Sequence, residues 1–201
     1  VAPDAIRWVG DSREWPRAGL NWTIGGDWDK ELIQVRPSIF DSCPETTKKW
    51  MIHETVRGLF IDGLEYQETP QYRWMMERVL SAPPEPNWGC GSTEEVHDYF
   101  EVLIATFQSM KTKGYLDQSQ LHGKDVKKAD DEIPVYVTRS GELCQGNAGN
   151  HRIKMAEILG VERVPVIFWG IHTVWVEKLS NRFDMPPRES VLFWVQGSDF
   201  D

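Results

Sequence analysis

At 201 residues, with 40 % hydrophobic and 26 % charged residues, the chain has a globular composition and can bury a substantial core; one domain with peripheral additions is the simplest count. No apolar run approaches the roughly 20 residues of a membrane span, so no membrane partner is expected, and a net charge of −9 disfavours unassisted binding to duplex DNA. Three cysteines, Cys43, Cys90 and Cys144, without metal-like spacing, together with the lack of a visible signal peptide, predict reduced thiols in a cytoplasmic protein.

Residues 1–30 are rich in Trp, Gly, Asp and Pro and read as an irregular arm with a short strand near Ile6–Val9. Asp27 and Asp29 flank Trp28 in a turn; on local chemistry they form a solvated Asx-type turn, and the alternative is a shared metal or ligand hydroxyl. A strand is expected at Leu32–Val35, ended by Pro37. Residues 45–60 read as a helix with Trp50, Ile52, Val56, Leu59 and Phe60 inward and His53 on its surface, closed by Asp62-Gly63. The acidic loop that follows carries Glu65 and Glu68. Thr69-Pro70 then opens a helix over 70–81. Ser92-Thr93-Glu94-Glu95 opens the longest helix, over 94–113, with Val96, Tyr99, Phe100, Leu103, Phe107 and Met110 on one stripe. Residues 116–131 read as a solvated loop and 178–201 as a loosely attached tail.

The densest chemistry lies in 132–177. Ile133–Val137 and Glu142–Gln145 read as a hairpin turning at Arg139-Ser140-Gly141. Gly146-Asn147-Ala148-Gly149 breaks the pattern, Asn150 caps a helix, Gly160 stops it, and Arg163–Trp169 is a further strand. A glycine turn feeding a helix start suits a phosphate, because the first helical N–H groups lack internal partners and the macrodipole makes that end partly positive. Gly146, Asn147 and Gly149 permit close backbone approach, and Asn150, His151 and Arg152 add polar groups, with Arg152 able to clamp phosphate oxygens bidentately. The alternative is a capped helix with two surface cations.

The order hairpin, Gly-Asn-His-Arg, helix, Leu-Gly and Val-Pro-Val-Ile strand resembles the core of the ParB/sulfiredoxin superfamily. Sulfiredoxins carry Gly-Cys-His-Arg at this turn, ParB proteins a Gly-Glu-Arg-Arg type motif, and the ADP-dependent free serine kinases a related His-Arg turn. The resemblance implies an α+β fold, a small mixed sheet packed with helices, here with helical insertions at 45–113. It also implies that Gly149, Asn150, His151 and Arg152 bind nucleotide phosphates, with His151 as a phosphate donor. The reactive cysteine of sulfiredoxin is Asn150 in this chain, and an amide lacks the sulfur chemistry of sulfinic acid repair.

Three functions follow as expectations. The first is a kinase-like phosphotransferase that uses ATP or ADP with Mg2+ and acts on a hydroxyl of a small molecule or polymer. Asp62, Glu65, Glu68 and the Asp27/Asp29 pair are then candidate bases, and Glu68, Asp62 and His151 the catalytic candidates; no metal ligand set is assigned. The second is a ParB-type nucleotide-binding switch without catalysis, although the chain has no clear room for the DNA-binding and dimerisation parts of ParB. The third is a nuclease or DNA-modification enzyme of a virus or mobile element.

Overall fold

The computed structural model describes residues 1–10, 15, 22–31, 33–122 and 132–197. In chain order the strands are β1 (Trp8–Gly10), β2 (Thr23–Ile24), β3 (Ile33–Val35), β4 (Ile133–Val137), β5 (Leu143–Gln145) and β6 (Val166–His172). The helices are α1 (Trp28–Glu31), α2 (Trp50–Arg57), α3 (Pro70–Val79), α4 (Thr93–Lys113), α5 (Gln118–His122), α6 (Asn150–Ile158), α7 (Thr173–Phe183) and α8 (Pro187–Gly197). The fold is α+β, and its elements group into two compact units. One comprises Val1–Arg36, Asp117–Gly149 and the chain from Glu162 onward; the other comprises Pro37–Leu116 and Asn150–Val161.

The first unit is built on a mixed sheet of order β2-β6-β4-β5-β1-β3. Strand β4 pairs antiparallel with β5 and parallel with β6, as the hairpin and the following apolar strand predict. It has neighbours on both edges, and every residue of β4 is buried, which explains its unbroken Ile-Pro-Val-Tyr-Val run. Each fully buried Ile or Val there contributes about 1.5–3 kcal/mol. Between Val135 and Tyr136 the register with β6 slips, so that Val135 faces Phe168 and Tyr136 faces Gly170, with Trp169 the extra residue of a bulge.

The expected arm over 1–30 is part of this sheet. Strand β1 lies between β5 and β3, and β2 forms the edge beside β6. Trp15, Ile24 and Trp28 pack with Tyr136 and Cys144 in one buried cluster. The aromatic rings of the N-terminal residues are thus core, which the absence of periodicity in that stretch concealed. Cys144 is fully buried in this cluster, and all three cysteines are free.

Two further stretches differ from expectation. The supposed tail from 178 continues α7 and adds α8, packed on one another through the Trp175–Trp194 and Phe183–Phe193 ring pairs. Apolar Val191 provides a buried anchor that Pro186-Pro187 had obscured, while the acidic Asp199–Asp201 end lies outside the described residues. Within the expected loop of 116–131, Gln118–His122 is helical and 123–131 lie outside the described residues, as does Leu32 of the expected Leu32–Val35 strand.

The second unit is helical. Helix α2 starts at Trp50 rather than near 45, because the chain from Pro44 forms hydrogen-bonded turns and Lys49 adopts a left-handed φ of +70°. Its last turn widens to π type over Gly58–Asp62 and stops at Gly63, φ +72°. Helix α3 has Pro70 in its first turn, but Thr69 donates its hydroxyl to the Tyr66 carbonyl at 2.7 Å instead of capping. Helix α4 is capped by Ser92, which accepts from Glu95 N at 3.2 Å, and buries Val96, Phe100, Leu103, Phe107 and Met110 as the stripe predicts. Helix α2 lies against α3 and α6, and α3 against α4. Helix α6 ends in a Schellman arrangement, with Gly160 at φ +63° and Val161 N donating to Ala156 O at 2.9 Å.

Gly149, immediately before α6, has φ +69°, and a Cβ there would sit 2.7 Å from Cγ1 and 3.1 Å from Cα of Ile133. Gly26 has φ +86° but open space around the same position. Alanine at Gly26 is therefore expected to cost only the left-handed backbone penalty of about 1 kcal/mol, whereas Gly149→Ala, pressed on the backbone of β4, should cost about 2–4 kcal/mol. Urea denaturation of both variants checks this; equal losses would contradict the packing.

Candidate functional site

The first turn of α6 carries the motif side chains. Asn150 is buried, while His151 and Arg152 are half-buried. No acidic residue occupies this turn, so nothing in the helix's own sequence offsets the positive end of its dipole. Gly146 and Asn147, the other expected phosphate residues, follow β5 in the sheet unit. A Cβ on Gly146 would lie 3.0 Å from Pro134 Cγ, so this glycine admits the close packing of the hairpin end.

Below the α6 turn lies a chain of polar groups that runs from half-buried His151 into the interior. His151 Nε2 donates to Gln71 Oε1 at 2.8 Å, and Gln71 Nε2 donates to Tyr99 Oη at 3.1 Å. The Gln71 backbone N–H donates to Thr55 Oγ1 at 3.1 Å. Gln71 and Thr55 are fully buried. Burial, followed by the positive charge of Lys154, lowers the His151 imidazole from 6.5 to about 4, so it is neutral at pH 7. Burial raises the Tyr99 hydroxyl to about 12, against the smaller opposing effect of its bond from Gln71.

One turn further along α6, Lys154 is only 4 % exposed, an unusual burial for an ammonium. It donates to His53 Nδ1 at 3.0 Å, and His53 Nε2 donates to the Asp41 carbonyl at 3.0 Å. That pattern requires neutral His53, with its hydrogen on Nε2. His53, expected on the helix surface, is 1 % exposed, because the loop beside Asp41 folds over this face of α2. Glu54 and Arg57 of the same helix hold that loop too, accepting from Cys43 N at 3.3 Å and donating to Phe40 O at 3.1 Å. Neither the burial of Lys154 nor its link to His53 was read from sequence. Four consecutive buried residues, Ile153–Ala156, leave no clean helical stripe to reveal them.

The acidic candidates have local partners. Glu68 accepts from Glu65 N at 3.0 Å in a capping box around the 3-10 turn Tyr66–Glu68. Asp62 pairs with Arg57 at 3.5 Å. In the sheet unit Asp27 and Asp29 do share a cation, and it is the Arg139 guanidinium. Arg139 Nη2 donates to Asp27 Oδ1 at 2.7 Å and to Asp29 Oδ1 at 2.6 Å, and Arg139 backbone N to Asp29 Oδ2 at 2.8 Å. Burial alone raises the Asp29 carboxyl, but the side-chain and backbone bonds from Arg139, with its charge, outweigh it and leave Asp29 below the usual carboxylate range. Arg139 Nη2 also donates to Gly26 O at 2.8 Å, and His172 Nε2 to the same carbonyl at 2.9 Å. His172 Nδ1 accepts from Val174 N at 3.0 Å and caps α7. This network ties the N-terminal strands to the hairpin turn.

Among the described residues no group of three or more His, Cys, Asp or Glu side chains is placed to hold a metal ion, and no helix is long and apolar enough to cross a membrane. No protein-family model, curated protein or solved structure matches this chain.

The lowered His151 value has a stability consequence. As pH falls, the unfolded chain takes up the imidazole proton first, near 6.5, and the folded protein only near 4. The stability associated with neutral His151 is complete above 6.5 and is lost as pH falls between these values. Urea denaturation near pH 7 and about pH 5 should show a loss that shrinks by about 1–2 kcal/mol in His151→Gln. An identical pH dependence in both proteins would contradict the neutral ring.

Proposed function

We propose that the first turn of α6 binds the phosphates of a nucleotide, and that the protein is a kinase-like phosphotransferase acting on a hydroxyl-bearing acceptor. The observation that carries this reading is a helix start whose only charged groups are cationic. Arg152 lies in the first turn and buried Lys154 follows one turn on, and the turn itself carries no carboxylate. A cation in the first turn of a helix opposes its stability, and a polyanion there reverses the sign of that cost. The resemblance of Gly149-Asn150-His151-Arg152 to the ParB/sulfiredoxin turn supports the same ligand.

In this reading the backbone N–H groups of His151 and Arg152 receive phosphate oxygens, and the Arg152 guanidinium holds them through a charge-assisted contact. Lys154, held under the helix by His53, adds fixed positive charge. Phosphoryl transfer asks little covalent chemistry of a protein; positioning and charge stabilisation supply most of the acceleration. Mg2+ would be held chiefly by phosphate oxygens and water, a mode that needs no cage of protein ligands. Glu68 and Asp62 remain the carboxylates proposed to orient the acceptor. Either would have to leave its present partner, Glu65 N or Arg57, to do so.

Calorimetry with ATP, ADP, CTP and GTP, with and without Mg2+, tests this directly. At least one nucleotide should bind wild type, and Arg152→Ala should lose roughly tenfold to a hundredfold in affinity, about 1.5–3 kcal/mol. Arg152→Lys should recover only part of that, because it keeps the charge and loses the planar fork. Equal binding by wild type and Arg152→Ala, or none by wild type, would overturn the reading.

A further inference from the structure

We propose that Gln71 is a positioning residue that fixes His151 as a hydrogen-bond acceptor, so that His151 receives a donor group of the ligand, a hydroxyl, and does not contact a phosphate oxygen. The functional half of this inference rests on the phosphate reading of the α6 turn; the tautomer does not.

A thioether sulfur, an amide oxygen and an amide nitrogen each have one hydrogen-bonding role. Gln71 Nε2 lies 4.0 Å from Met75 Sδ as well as 3.1 Å from Tyr99 Oη. A thioether sulfur only accepts, so the amide nitrogen belongs on that side and the amide oxygen faces His151. An amide oxygen also only accepts, so His151 Nε2 must carry a hydrogen at 2.8 Å. A second ring proton would make an imidazolium in a desolvated place beside the Lys154 ammonium, which both burial and charge oppose. His151 Nδ1 therefore carries a lone pair, and among the described residues it has no hydrogen-bond partner.

In this proposal the backbone N–H groups and Arg152 offer hydrogens to a ligand at this helix start, whereas the His151 Nδ1 lone pair offers electrons. An anionic oxygen against that lone pair is repelled, and a hydroxyl is bound and turned. With its value near 4 the imidazole is too weak to hold a full proton at neutral pH. It can still aim a hydroxyl oxygen, and a loose phosphoryl-transfer transition state needs little more from the group beside the nucleophile. Two faces of one turn thus sort a ligand into a phosphate end and a hydroxyl end.

Ring-15N-labelled histidine in the full chain tests the tautomer, with the His151 signals assigned by their loss in His151→Asn. Near neutral pH the wild type should show hydrogen on Nε2 and an unprotonated Nδ1. Gln71→Met, which keeps volume but removes the oxygen, should populate the Nδ1–H form. Tyr99→Phe, a milder change that frees the amide to turn, should shift the ratio in the same direction by less, and Gln71→Glu should retain the Nε2–H form. A wild type with hydrogen on Nδ1 would overturn the proposal. So would a folded Tyr99→Phe and Gln71→Met pair with the wild-type tautomer.

The functional arm separates the two readings. With a nucleotide that wild type binds, Gln71→Met should keep nucleotide affinity within about threefold and lower kcat for transfer to a hydroxyl acceptor by roughly ten- to a hundredfold. Lost nucleotide affinity in Gln71→Met, with Nδ1–H gained, would show that His151 does meet the phosphate and would sink the sorting role. No nucleotide binding by wild type, with the Nε2–H tautomer present, would defeat the phosphate reading and the sorting role and leave the Gln71 tautomer assignment standing.

Discussion

The helical unit is governed by the rule that a polar group taken out of water must find a partner. Thr55, Gln71, His53 and Lys154 are all buried, and each has a hydrogen-bond partner. The Thr55 hydroxyl takes the Gln71 backbone N–H, the Gln71 oxygen takes the His151 hydrogen, and the His53 lone pair takes a Lys154 hydrogen. Removing one member strands its neighbour, which costs more than the bond itself is worth. Such a network specifies one arrangement of α2, α3, α4 and α6 more sharply than apolar packing alone. Its cost in desolvation is tolerable because apolar side chains such as Val56, Met75, Phe100 and Ile153 are fully buried in the same unit.

The sheet unit solves a different problem. Strands β1, β2 and β3 have two or three residues each, too few for independent stability. They are held instead by aromatic packing and one charged junction. Trp15 stands edge-on to Tyr136 at 4.3 Å between centroids, and Asp29, buried, receives both the backbone and the side chain of Arg139. A buried carboxylate with a bidentate guanidinium is strongly orienting, even where its net contribution to stability is small. This junction joins the N-terminal strands to the turn of the β4–β5 hairpin across more than a hundred residues of chain.

How much of this was legible depended on whether one residue decided the local structure. The β4–β5 hairpin, the start of α6 after Gly149, its stop at Gly160 and the Ser92 cap all follow from residue types with narrow backbone or hydrogen-bond preferences, and they stand where the sequence put them. The α4 stripe was legible because one face of that helix is apolar. Hidden features were those set by distant partners. His53 looked like a surface residue until the Asp41 loop covered it, and Lys154 has no sequence signal of burial. Asp27 and Asp29 were recognised as a pair, but their cation, Arg139, lies too far along the chain to be inferred. The C-terminal helices were masked by Pro186-Pro187, which reads as a break although the second proline occupies the first turn of α8. Of the site, the residues of the α6 turn were visible as a motif, whereas Gln71 and Tyr99, which set the state of His151, were not.

The central claim is that the first turn of α6 receives phosphate, and the backbone amides there report on it without reference to any nucleotide or reaction. In a two-dimensional 15N–1H titration with inorganic pyrophosphate, the amides of His151, Arg152 and Ile153 should move downfield together, saturate with one affinity, and return when salt is raised. Shifts confined to other parts of the chain, or an α6 turn silent at saturating pyrophosphate, would contradict the account and leave Gly149–Arg152 as the start of a capped helix.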